Sequence, residues 1–213
     1  TLVTPLTALL EEDPSAQARE AAAVALGKFA VLSQSGKMLS RDGERIKESL
    51  IQAIENSEES QEIRRRAIEA VGPFSTPEVH EIIQDAYESD QLEMRCSAVY
   101  AMGKSCDTQW LPIILAELRN PHPAMRHEAS TACGELGEEH AVPHLIPLFE
   151  DDDHQAQVSA ISAVGAIGGR LAKKALLRCL KSSDDLAVEA AEEALGNLED
   201  GDSMGFTSAA FSH

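Results

Sequence analysis

The chain has 213 residues, 36 acidic and 18 basic, for a formal charge of −18. That balance opposes non-specific binding to nucleic-acid phosphates and to anionic membranes, and no apolar run reaches the ~18 residues that a membrane helix needs. Apolar residues make up 43% of the chain, with 13 glycines and 9 prolines, a composition of folded protein and not of a disordered one.

The opening Thr1-Leu2-Val3-Thr4-Pro5 has no basic segment, no signal-type apolar run and no methionine, as expected of an excised domain or a processed fragment. Leu2, Leu6, Leu9 and Leu10 predict a first helix, Glu12-Asp13-Pro14 a turn, and Arg19 to Gly27 (REAAAVALG) a second helix. Residues 31–44 are predicted as an inserted loop, which either carries binding contacts or is inert. A helix from Glu44 to Ile54 resumes the pattern.

From Arg64 the sequence repeats. RRRAIEAVG (Arg64 to Gly72) returns as RCSAVYAMG (Arg95 to Gly103), RHEASTACG (Arg126 to Gly134), QVSAISAVG (Gln157 to Gly165) and VEAAEEALG (Val188 to Gly196). The five glycines are each 31 residues apart. Ala67, Ala98, Ala129, Ala160 and Ala191 form one column, and Ala70, Ala101, Ala132, Ala163 and Ala194 a second, three positions on. An apolar residue follows each time, so the stripe has a helical period and not the alternation of a strand. Alanine lets neighbouring helices approach closely, and a glycine column inside helices points to a close contact or a bend.

A second apolar pattern precedes each of these segments, for example Leu111, Ile114, Leu115 and Leu118. Polar turns such as Glu150-Asp151-Asp152-Asp153 separate the two. Each unit is therefore a helical hairpin that cannot bury its own apolar face, and stacking supplies the core. The expectation is an all-α fold, a right-handed α-solenoid of about six stacked hairpins over residues 1–198, with the insertion at 31–44. Residues 199–213 form a tail that either caps the last helix or frays. Cys96, Cys106, Cys133 and Cys179 lack paired short spacing; Cys133 falls in an apolar column and is expected to be buried and reduced, which favours a cytoplasmic location.

The pattern of a turn, an arginine, Ala-x-x-Ala, an apolar residue and Gly resembles the HEAT-like repeat family of the short PBS-lyase type, over residues 2 to 198. Gln157 and Val188 depart from it where arginine is expected. The resemblance implies that the second helix of each hairpin lines a recognition face. Positions one, two, five and nine after the arginine would then face solvent: Arg65, Arg66 and Glu69; Cys96, Ser97, Tyr100 and Lys104; His127, Glu128, Thr131 and Glu135; Val158, Ser159 and Ser162; Glu189, Ala190 and Glu193. Tyr100 is either an interface anchor or a packing residue.

Two catalytic families share the repeat. Deoxyhypusine hydroxylase-like proteins hold a di-iron centre with several His-Glu pairs at this register, and here only His127-Glu128 matches. His122, His140, His144 and His154 lack a metalloprotease-type spacing. Phycobilin lyases hold a linear tetrapyrrole, and with five Phe, two Tyr and one Trp the chain shows no stacked-aromatic carrier pocket. The leading expectation is a scaffold or adaptor that is not an enzyme, needs no metal or cofactor, and binds a protein partner, either basic or of no set charge, through this face, with no nucleic acid and no membrane. The alternatives are a lyase-like chromophore-handling protein or a structural module of a larger enzyme.

Overall fold

The computed structural model describes the backbone of residues 2–208 and the side chains of residues 2–198. All regular structure among the described residues is helical, and the hairpins stack as a solenoid. Contacts gather into two compact units, Thr1–Asp107 and Thr108–His213.

The first unit pairs α1 (Val3–Glu12) with α2 (Ala16–Gln34), α3 (Ser40–Glu55) with α4 (Gln61–Val71), and α5 (Pro77–Tyr87) with α6 (Leu92–Lys104). The second pairs α7 (Leu111–Glu117) with α8 (Pro123–Leu136), α9 (Val142–Leu145) with α10 (His154–Ile167), and α11 (Gly169–Cys179) with α12 (Asp185–Ser208). Side-chain oxygens start several second helices: Ser15, Ser60 and Asp153 accept from Ala18, Ile63 and Ala156 backbone N–H groups at 3.4, 3.3 and 3.0 Å. These caps satisfy donors that a helix start leaves unpaired.

Both alanine columns face inward. Ala67, Ala98, Ala129, Ala160 and Ala191 are each 0% exposed. Three glycines of the column, Gly72, Gly134 and Gly165, sit at close contacts. A Cβ added at Gly72 would lie 2.7 Å from the Ala101 carbonyl oxygen, one at Gly134 3.1 Å from Ala163 Cα, and one at Gly165 2.6 Å from Ala194 Cβ. In each case the glycine of one repeat receives the second alanine of the next.

The first helices are less regular than their apolar pattern suggests. Residues Ile146–Glu150 form a 3-10 turn in place of a continued α9, because Pro147 has no N–H to bond back along the helix. The predicted loop at 31–44 is also mostly helical. The second helix continues to Gln34, ends with Gly36 at φ 69, and α3 begins at Ser40. Gly36 and Lys37 N–H groups return to the Ser33 and Leu32 carbonyls at 3.1 and 3.0 Å, a glycine-based stop signal. The extra residues therefore lengthen two helices and leave a short turn. In the tail, α12 continues as backbone to Ser208; residues 209–213, and the side chains from 199 onward, lie outside the described residues.

Candidate functional site

The repeat arginines fix the geometry on which the second-helix faces depend. Arg19 donates to both Glu59 carboxylate oxygens at 2.7 and 2.9 Å and to the Asp13 carbonyl at 2.7 Å. Arg126 does the same with Asp151, at 2.7 Å twice, and the Asn120 carbonyl at 2.9 Å. Gln157, where the motif loses its arginine, donates to Asp184 at 3.0 Å and to the Phe149 carbonyl at 2.9 Å. Each latch ties the turn of its own hairpin to an acid in the turn of the next. The charge-assisted fork holds the Glu59 and Asp151 carboxyls below the usual carboxylate range, and the Gln157 amide does so for Asp184.

In the first unit, α2, α4 and α6 line a cleft of 220 Å³ bounded by Val24, Val31, Arg66, Glu69, Tyr100 and Lys104. The Lys104 ammonium lies 5.4 Å from the Tyr100 ring centroid, within cation–π range. Arg66 is held by Glu62, Glu69 and Glu20 at 2.9, 3.0 and 3.5 Å, and Arg65 by Glu62 at 2.9 Å. Ser97 departs from expectation. It is 1% exposed, accepts from Arg65 Nε at 3.1 Å and donates to Glu69 at 2.7 Å. The second helix of the preceding hairpin, α4, folds its long side chains over the serine, so Ser97 supports the face without belonging to it. Cys96 and Ala190, also read as solvent-facing, are buried.

In the second unit, α8 and α10 enclose a groove of 820 Å³ that collects His127, Thr131, Glu135, Val158, Ser159 and Ser162. Glu128 is half-buried, and Glu189 and Glu193 are exposed on α12; these three do not line the groove. Its floor is mostly apolar because Gly134, Ala163 and Ala166 contribute almost no side chain. Thr131 and Ser159 donate their hydroxyls to the His127 and Gln155 carbonyls at 3.1 and 2.8 Å, which leaves oxygen lone pairs available as acceptors.

His127 and Gln155 meet across the groove, Nε2 to Nε2, at 3.4 Å. With the amide as donor, the imidazole proton sits on Nδ1, and that atom is buried with no hydrogen-bond partner among the described residues. His154 and Gln155 lie before the motif residue Gln157, so counting forward from the motif missed them. A helical stripe of Gln155, Ser159, Ser162 and Ala166 was the available signal.

The donor set does not fit the di-iron centre implied by the hydroxylase resemblance. Among the described residues no three His, Cys, Asp or Glu side chains are placed to hold a metal. His127-Glu128 stands without a second such pair at its register.

Residues 111–196 match the family model for HEAT repeats. A deoxyhypusine hydroxylase from Neurospora crassa is 28% identical over 106 residues, covering 48% of this chain and 33% of that protein, so the chain spans about a third of that relative's length. Among solved structures, the complex of CpcE and CpcF of phycocyanin lyase from Nostoc sp. PCC7120 aligns with a TM-score of 0.60 at 20% identity, over 92% of this chain and 76% of that one. A designed armadillo repeat protein in complex with the peptide (KR)4 aligns with a TM-score of 0.53 at 17% identity, over 93% and 100%. Named relatives that are a hydroxylase and a lyase correct the expectation that the chain is not an enzyme. Its fold gives no ground for setting catalysis aside.

Proposed function

We propose that this chain, which has the HEAT-like repeat fold shared with phycobilin lyases and deoxyhypusine hydroxylase, is a ligand-holding module of a lyase-like system. The groove between α8 and α10 takes an elongated, mainly apolar small molecule and presents it to a partner protein. The observation that carries this reading is the groove itself. Its 820 Å³ falls within the ~300–1,000 Å³ usual for small-molecule sites. Apolar walls offer area, and the Thr131 and Ser159 oxygens offer acceptors. The likeness to the phycocyanin lyase complex supports a linear tetrapyrrole as the first ligand to try.

Titration with biliverdin, followed by induced visible circular dichroism, tests it. The expected result is a saturable signal that disappears in Ser162→Trp, which fills the groove from an exposed position. Absence of a signal, or an undiminished one in Ser162→Trp, would sink the proposal.

A second reading, an extended basic peptide on the second-helix faces, is favoured by exposed Glu135, Glu189 and Glu193 and by the net charge of −18. The designed armadillo protein holding (KR)4 supports the idea that stacked helical repeats accept such a peptide. Calorimetric titration with (KR)4 should show binding that Glu189→Lys with Glu193→Lys weakens; equal affinity in the variant would reject it.

A further inference from the structure

Residues 169–183 hold five of the chain's 18 basic residues and none of its 36 acidic ones. They include the whole of α11. Ala172, Ala175, Leu176 and Cys179 are its buried face. Arg170, Lys174, Arg178 and Lys181 then follow one exposed edge, at near one-turn spacing, and none of them forms an ion pair among the described residues. Such like-charged neighbours one turn apart cost an isolated helix stability. Leu171 and Leu177 lie beside the stripe, each 48% exposed. Two shallow clefts of 390 and 430 Å³ share Lys174, Arg178 and Lys181; Leu177 lines the first, Ile146, Phe149 and Leu171 the second.

We infer that α11 is a docking surface for an acidic, leucine-bearing peptide segment of a partner protein. Carboxylates pair with the basic stripe while apolar side chains enter the two clefts. Charge complementarity selects the sign of the partner, and the flanks select its shape. Glu150 borders the second cleft, Asp184 and Asp185 follow the helix, and the Glu139 carboxylate lies 3.0 Å from where a Gly169 Cβ would be. A flat polyanion such as a membrane or a duplex would press its phosphates onto these acids. A narrow strand avoids them. The helix is ~16 Å long, enough for about five residues of extended peptide. None of these residues lines the α8–α10 groove, so the inference stands apart from the ligand-holding reading.

Fluorescence anisotropy of a short labelled peptide of Asp, Glu and two Leu, titrated with the full chain, tests it. Affinity should fall at least about tenfold in Lys174→Glu with Arg178→Glu and by a smaller factor in Leu177→Ser, which leaves the charges intact. Added salt should weaken binding. Equal affinity in both variants overturns the proposal. So does tighter binding to phosphatidylserine vesicles than to the peptide, or a sedimentation dimer that the charge reversal abolishes, since the occupant would then be a lipid surface or a second copy.

Discussion

Gly165 and Gly196 stand one repeat apart in the same column, yet alanine at each is expected to shift stability in opposite directions. At Gly165 the added methyl would lie 2.6 Å from Ala194 Cβ, 3.1 Å from its Cα and 3.3 Å from its carbonyl oxygen. Ordinary carbon contacts sit near ~3.5–4.0 Å, so α10 and α12 must part locally by about 1 Å. Overpacking of that kind costs ~1–3 kcal/mol, against a gain of ~0.8–1.0 kcal/mol for alanine over glycine inside a helix. The net expectation is a loss of up to ~2 kcal/mol. At Gly196 nothing among the described residues lies within 4 Å of the new methyl and the helix continues to Ser208, so only the gain remains. Urea midpoints of the full chain measure both, and thermal melts should move by ~2–4 °C per kcal/mol for a chain of this size. A Gly165→Ala protein as stable as wild type would refute the close-seam account. A Gly196→Ala protein that loses stability would refute the assignment of its surroundings.

Two further expectations concern titration. Asp151→Asn breaks the fork on Arg126 and should cost ~1–3 kcal/mol near neutral pH. Because the folded Asp151 carboxyl is held below its usual value by Arg126, its contribution is present above about pH 4. It is lost as pH falls through the depressed value, so wild type and variant should converge in acid unfolding. Burial pushes the Cys133 thiol up to about 12, whereas Cys106 is exposed. A thiol reagent at pH 8 should therefore modify Cys106 first and reach Cys133 only on unfolding; early loss of Cys133 would contradict its burial. The same shift means that stability falls as pH rises from about 8.5, where an unfolded cysteine ionises.

The helix-forming columns were legible because they are local. Ala67 and Ala70 declare a face by their spacing, and Ala98, Ala129, Ala160 and Ala191 repeat it. The latches were not, since Arg19 meets Glu59 40 residues on and Arg126 meets Asp151 25 residues on, in register with no short motif. Groove membership was read in part. His127, Thr131, Ser159 and Ser162 follow from helical geometry, but Ser97 shows that long side chains of one repeat can close over a short one on the next. The 31–44 stretch misled because its polar composition resembles a loop, while only residues 35–39 leave the helices, turning at Gly36 with its positive φ.

The latches also bear on how such a chain can change over generations. Arg126 holds an acid in the following turn, and Gln157 holds another in the turn after that. Every tether spans one boundary and ignores how many boundaries there are. Duplication or excision of a whole 31-residue segment leaves each remaining residue facing an equivalent neighbour, whereas a gain or loss of a few residues within a segment strands an arginine without its acid. Array length is therefore open to recombination while the period is held fixed, and the span of the second-helix face can be adjusted without redesigning a single joint.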